Sequence, residues 1–154
     1  MTTADTPRVI SLCSWYGGLV TAVHRITGGK LVAYAEKMPA ASAVMARHWP
    51  GVPNLGDITE IDWRSVREEF APDVLEAGFP CQDISDAGKR EGISGERSGI
   101  WKNVAEAVGV LRPRLVFLEN VAALRSRGLS VVAEDLASCG YDLRWTCLRA
   151  SDVG

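Results

Sequence analysis

The sequence predicts an α/β domain, a mostly parallel sheet with helices on both faces. Short apolar runs alternate with amphipathic stretches along the chain, the order expected when each strand must leave the sheet and return parallel to its neighbour. Two runs, Val74-Leu75-Glu76-Ala77 and Leu115-Val116-Phe117-Leu118, stop abruptly at polar or turn-forming residues, as buried parallel strands do at their carboxyl ends. Glycine and proline fall at the joins between runs, where helices end.

Each element follows from its residues. Val9 to Leu12 reads as the first strand; after Gly17-Gly18, residues Leu19, Ala22, Val23 and Ile26 recur at helical spacing until Gly28-Gly29. Leu31 to Tyr34 forms the second strand, and a helix starts at Pro39, with Ala41, Val44, Met45 and His48 on one face and Trp49-Pro50-Gly51 as its stop. A short strand is expected near Val52 to Leu55, then a helix from about Asp62 to Phe70 and the strand leading to Cys81. Asp83 to Ser98 has neither period and reads as a long loop, a class that is usually functional or disordered. A helix from about Gly99 to Leu111, the strand ending at Glu119, a helix carrying Leu129, Val132 and Leu136, and a final strand from Tyr141 to Leu148 complete the series.

Composition narrows the function. The 154 residues are one domain's worth, with 47% hydrophobic and 23% charged residues, as in ordinary soluble globular proteins. No apolar stretch approaches the roughly 18 to 20 residues that cross a bilayer, and Met1 to Asp5 lacks the features of a signal peptide, so a cytoplasmic location is expected. Cys13, Cys81, Cys139 and Cys147 are scattered and only His24 and His48 could join them, which argues against a metal site. Cys139 and Cys147 read as core fillers. A net charge of −2 gives no basic footprint for gripping DNA unaided.

The chemistry concentrates at two strand ends. Gly78-Phe79-Pro80-Cys81-Gln82 brings a thiol, and Phe117-Leu118-Glu119-Asn120-Val121 a carboxylic acid, to the crevice where open α/β sheets bind ligands. A thiolate can attack an electron-poor ring while the acid protonates it. Taken singly, Cys81 reads as a buried thiol, Glu119 as a helix-capping acid, Glu36 and Asp57 as turn acids, and Lys89, Arg90 and Arg97 as a solvated loop.

Pro-Cys-Gln after one strand and Glu-Asn-Val after the next resemble the two signatures of the DNA cytosine-5 methyltransferases. Ser11-Leu12-Cys13-Ser14-Trp15-Tyr16-Gly17-Gly18 is similar to that family's cofactor loop, Glu36 to its ribose-binding acid, Gly56-Asp57-Ile58-Thr59 to its adenine-binding turn, and Arg97-Ser98-Gly99 to the segment opening the next helix. The resemblance runs from about Val9 to Gly154, after a tail of residues 1–8. It implies a Rossmann-like methyltransferase fold using S-adenosyl-L-methionine, with Cys13, Tyr16, Gly17, Gly18, Glu36, Asp57, Ile58 and Phe79 at the cofactor. It also implies that Cys81 adds to carbon 6 of a flipped cytosine, that Pro80 sets the backbone for it, that Glu119 protonates N3 and that Asn120 holds the loop. Gln82, Ser85, Lys89, Arg90 and Arg97 would meet double-stranded DNA.

Two departures qualify the match. Trp15 stands where the family has glycine, so the indole must swing away or fill cofactor space. The family's sequence continues beyond a segment like Ala150 to Gly154 into an arginine-rich motif, a further strand and a target recognition domain. The expectation is therefore a partial catalytic domain, weak or inactive alone, with the remainder supplied by a second polypeptide. The alternative is a non-catalytic remnant that binds cofactor or DNA.

Overall fold

The computed structural model describes residues 6–80 and 99–152. Its centre is a four-stranded, wholly parallel sheet of β1 (Arg8–Leu12), β2 (Lys30–Ala35), β3 (Val74–Gly78) and β4 (Leu115–Glu119) in the order β2-β1-β3-β4. Chain order runs outward from β1 to β2, then restarts on the other side with β3. The strand order therefore reverses between β1 and β3, and a crevice opens there beyond the carboxyl ends.

Side-chain alternation divides the sheet into two apolar faces. Val9, Leu31, Tyr34 and Val74 pack with Val20 and Val23 of α1 (Gly18–Thr27) and Met45 of α2 (Pro39–His48). Ile10, Leu12, Ala33, Leu75 and Ala77 face a larger cluster. That cluster draws on α3 (Trp63–Phe70), α4 (Ile100–Leu111) and α6 (Leu129–Ser138), with the short α5 (Leu124–Arg127) just before α6. Trp101 of α4 is 1% exposed, and its indole N–H donates to Asp135 of α6 at 2.7 Å, so the largest core side chain also satisfies its polar atom.

Local chemistry sets the boundaries. Gly28 closes α1 in the left-handed region at φ 67°, its N–H bonding the His24 carbonyl. Proline opens α2 at a position where its missing N–H costs nothing. Asp62 starts α3 by accepting from the Arg64 N–H at 3.0 Å and the Ser65 hydroxyl at 2.6 Å.

Three expectations need correction. Val52 to Leu55 is not a strand: it makes one isolated parallel bridge, Asn54 to Tyr34, before turning away. Tyr141 to Leu148 is not a strand either. No described strand lies beyond β4 to pair with it; instead Tyr141 is tied back, its hydroxyl donating to the Pro113 carbonyl and its N–H to the Leu136 carbonyl at 3.0 Å. Cys147 in that segment is exposed rather than a core filler. Among the described residues no helix is long and apolar enough to cross a membrane.

Candidate functional site

The crevice is built by four turns. Leaving β1, the chain crosses residues 13–17 before α1 begins, and this loop is tightly wound: Cys13, Trp15 and Gly17 have φ of 53°, 49° and 77°. The Cys13 N–H bonds the Ala35 carbonyl and the Gly17 N–H bonds the Ser14 carbonyl, both at 2.9 Å. Glycine is required at position 17 for a second reason, since a Cβ there would lie 2.4 Å from the Trp49 ring. At Gly18 a Cβ would meet nothing within 4 Å, so the start of α1 faces open space.

Trp15 has swung outward: the residue is 45% exposed and its ring stands edge-on to Tyr16 at 6.2 Å, with Tyr16 itself 60% exposed. A bulky residue in the left-handed region carries about 1–2 kcal/mol of strain. The loop is held in place nonetheless, because the Trp15 N–H donates to Glu36 Oε2 at 2.9 Å.

Glu36, at the end of β2, is 6% exposed and accepts a second bond, from the Met38 N–H to Oε1 at 2.8 Å. Asn54, which the sequence reading passed over, brackets the same residue: its amide donates to the Glu36 carbonyl at 2.9 Å and its oxygen accepts from the Glu36 N–H at 3.1 Å. Next to it, Asp57 accepts from the Thr59 N–H at 3.0 Å and from Lys37 at 3.2 Å. The Thr59 bond is the main reason its carboxyl lies below the usual range. Ile58 is buried behind it. The turn-acid reading of Asp57 is thus correct as local structure, and compatible with a ligand role because a carboxylate has spare lone pairs.

On the other side of the switch point, β3 and β4 run in register, with Gly78 opposite Glu119. A Cβ at Gly78 would lie 3.6 Å from Glu119 Oε2 and 3.7 Å from the Cys13 carbonyl, so this glycine is where the two halves meet. Asn120 locks the junction: its amide donates to the Phe79 carbonyl at 3.0 Å, and its oxygen accepts from the Val121 N–H at 2.9 Å. Phe79 is 3% exposed with its ring 5.2 Å from Trp101, which anchors the chain after β3 in the core against α4. Glu119, at the end of β4, is exposed. Pro80 ends the described stretch. Cys81, Gln82, Ser85, Lys89, Arg90 and Arg97 lie outside it.

Two further ionisable groups complete the surroundings. The Cys13 thiol is pushed up to about 12 by burial and then by the neighbouring Glu36 charge, so it stays protonated and cannot act as a nucleophile. Glu76, in mid-β3, is 1% exposed and lifted by burial to about 8. No group of three or more metal-ligating side chains occurs among the described residues.

Residues 7–154 match the model of the C-5 cytosine-specific DNA methylases. The chain is 37% identical over 155 residues to the Type II methyltransferase M2.BsuMI of Bacillus subtilis, covering 96% of itself and 38% of that protein. It is 33% identical over 152 residues to M.MspI of Moraxella, covering 96% of itself and 35% of the relative. The chain therefore spans little more than a third of these relatives. In fold it is similar to the Entamoeba histolytica methyltransferase EhMeth, with a TM-score of 0.77, 16% identity, and coverage of 98% of this chain and 49% of the other. Spodoptera frugiperda DNMT2 superposes at a TM-score of 0.67 with 19% identity, over 87% and 41% of the two chains. S-adenosyl-L-methionine is the methyl donor of this enzyme family. With the family model matched over nearly its whole length, this chain belongs to the C-5 cytosine-specific DNA methylases.

Proposed function

We propose that this chain is the donor-binding and nucleophile-bearing part of a DNA cytosine-5 methyltransferase acting on double-stranded DNA in the cytoplasm. The observation that carries the reading is the junction at Gly78, where the end of β3, the end of β4 and the loop after β1 come within contact distance. The residues fit the donor. Gly18 leaves space at the start of α1, and Glu36 is buried and fixed by two backbone N–H groups, yet keeps a lone pair on each oxygen for a ribose hydroxyl. Bound S-adenosylmethionine supplies an electrophilic methyl group. Glu36 and Asp57 orient the nucleoside end through hydrogen bonds, and Ile58 excludes water behind them.

The remaining residues prepare the base. The Cys81 thiolate adds to carbon 6 of cytosine, placing electron density on carbon 5, while Glu119 supplies a proton toward N3. Once carbon 5 is methylated, loss of its proton and expulsion of the thiolate restore the ring. Glu119, exposed in the free chain, becomes a competent acid when the flipped base covers it, because desolvation favours the neutral carboxyl. Asn120 keeps the acid and the Cys81 strand end together through the Phe79 carbonyl. Gln82, Ser85, Lys89, Arg90 and Arg97 are the proposed DNA contacts.

A second reading, binding without turnover until another polypeptide joins, has one observation in its favour. The outer edge of β4 has no strand partner among the described residues, and Leu115 and Val121 beside it are 41% and 40% exposed. Mixed-sequence duplexes carrying 5-fluorocytosine separate the two, because fluorine at carbon 5 blocks the final elimination and leaves the enzyme on DNA. The enzyme reading predicts a denaturation-resistant adduct that requires the donor and disappears in Cys81→Ser. Donor binding with no adduct would support the second reading instead.

A further inference from the structure

Glu76 is a buried acid that neither the fold nor the mechanism above uses. It stands on β3 with Ser11 opposite it on β1 and Phe117 opposite on β4. It is 1% exposed, and its Oε1 has no hydrogen-bond partner. Packing does not explain it, since an apolar side chain would cost less than a carboxyl without its full set of bonds. Its position is informative: two residues along the same strand face, roughly 6.6 Å, lies Gly78, where the donor loop and Glu119 converge.

A row of hydroxyls connects Glu76 to the loop. The Ser11 hydroxyl, opposite Glu76 across the β1–β3 pairing, favours the ionised form of its carboxyl. It also donates to Ser14 Oγ at 2.5 Å, and the Ser14 carbonyl in turn receives the Gly17 N–H. A hydroxyl has one proton to give. If Ser11 donates to Ser14, Glu76 must donate to Ser11, which only the neutral acid can do. An ionised Glu76 would claim the Ser11 proton and reverse the row, so the state of this carboxyl is transmitted to the loop.

We propose that Glu76 makes the loop discriminate between a cationic methyl donor and its neutral thioether product, holding its proton under the product and releasing it to solvent when the sulfonium charge settles above. The inference rests on the donor reading given above. Burial, which keeps the carboxyl neutral up to about pH 8, leaves it poised to respond near neutrality. The Cys13 thiol at the end of β1 feels the Glu76 charge, while the Glu76 carboxyl itself answers to burial and to the Ser11 hydroxyl, with no charged group among its causes. The helices packed on this face present Val20 and Val23 of α1 and Met45 of α2, their basic residues His24 and Arg25, and Arg47 and His48, lying in the last turns. None of these supplies a resident positive charge to Glu76. An opposite charge brought by the ligand favours the ionised form.

The test is calorimetric titration of the purified chain with S-adenosylmethionine and with S-adenosylhomocysteine between pH 6 and 9, repeated at pH 7.5 in two buffers of different ionisation enthalpy. Native chain should release more protons on binding donor than product, and its preference for donor should grow about tenfold from pH 6 to pH 9. In Glu76→Gln both effects should vanish; the ligands' own amino groups titrate in both proteins and cancel in the comparison. Glu76→Leu serves the same comparison should the glutamine variant lose its circular dichroism. Equal proton release and equal pH slope in native and variant would overturn the proposal while leaving the donor reading intact. Failure of both ligands to bind the native chain would overturn the two together.

Discussion

Replacing Glu76 with leucine should stabilise the protein, and by an amount that depends on pH. The folded chain keeps the Glu76 proton up to about pH 8, against an ordinary value of 4.5. Between those values the folded state binds more protons than the unfolded state, so stability falls as pH rises through that window. Below 4.5 both states are protonated and no penalty remains; above about 8 the penalty is complete. At about 1.4 kcal/mol per pH unit the ceiling is about 5 kcal/mol, and water penetration will reduce it. That is a large share of the roughly 5–15 kcal/mol that holds a domain folded. Urea denaturation followed by far-ultraviolet circular dichroism at pH 5, 6.5 and 8 measures it. Native protein should lose several kcal/mol from pH 5 to pH 8, while Glu76→Leu should lose little. A native curve flat over this range, or an equal fall in the variant, would refute the reasoning.

Other substitutions test other joints of the site. Trp15→Gly should raise stability by about 0.5–1 kcal/mol, since relief of the left-handed strain exceeds glycine's added chain entropy; thermal unfolding reads it. Gly17→Ala should cost about 2 kcal/mol or more, because it combines a φ of 77° with a 2.4 Å approach to Trp49. Urea melts would show this. Asn120→Ala should cost about 1–2 kcal/mol by orphaning the Phe79 carbonyl and should lower the yield of fluorocytosine adduct. Iodoacetamide at pH 8, followed by peptide mass spectrometry, should modify exposed Cys147 and spare Cys13, whose thiol burial holds to about 12.

The parts legible from sequence were those with a strong local signal. Strand ends at Gly78 and Glu119, the glycine stop of α1, the proline start of α2 and the run of α3 from about Asp62 to Phe70 all stand where the residues placed them. Tyr141 to Leu148 misled because an apolar, β-prone run becomes a strand only with a partner, and among the described residues none lies beside β4. Val52 to Leu55 failed for a related reason, pairing at one residue only. The four-residue α5 is too short for a helical period to register. Asn54 carries no motif, and its importance lies in bonds to Glu36, eighteen residues away in sequence. Glu76 did leave a signal, an acid inside an otherwise apolar strand. Its meaning required knowing that helices cover that face of the sheet.

The central claim is that these strand ends form a donor site, and the most direct measurement is a calorimetric titration of S-adenosylmethionine into the purified chain, with Glu36→Ala alongside. Micromolar binding by the native chain, weakened at least tenfold in Glu36→Ala, is the result predicted. A folded native chain that takes up no donor, and a folded Trp15→Gly variant that takes up none either, would contradict it.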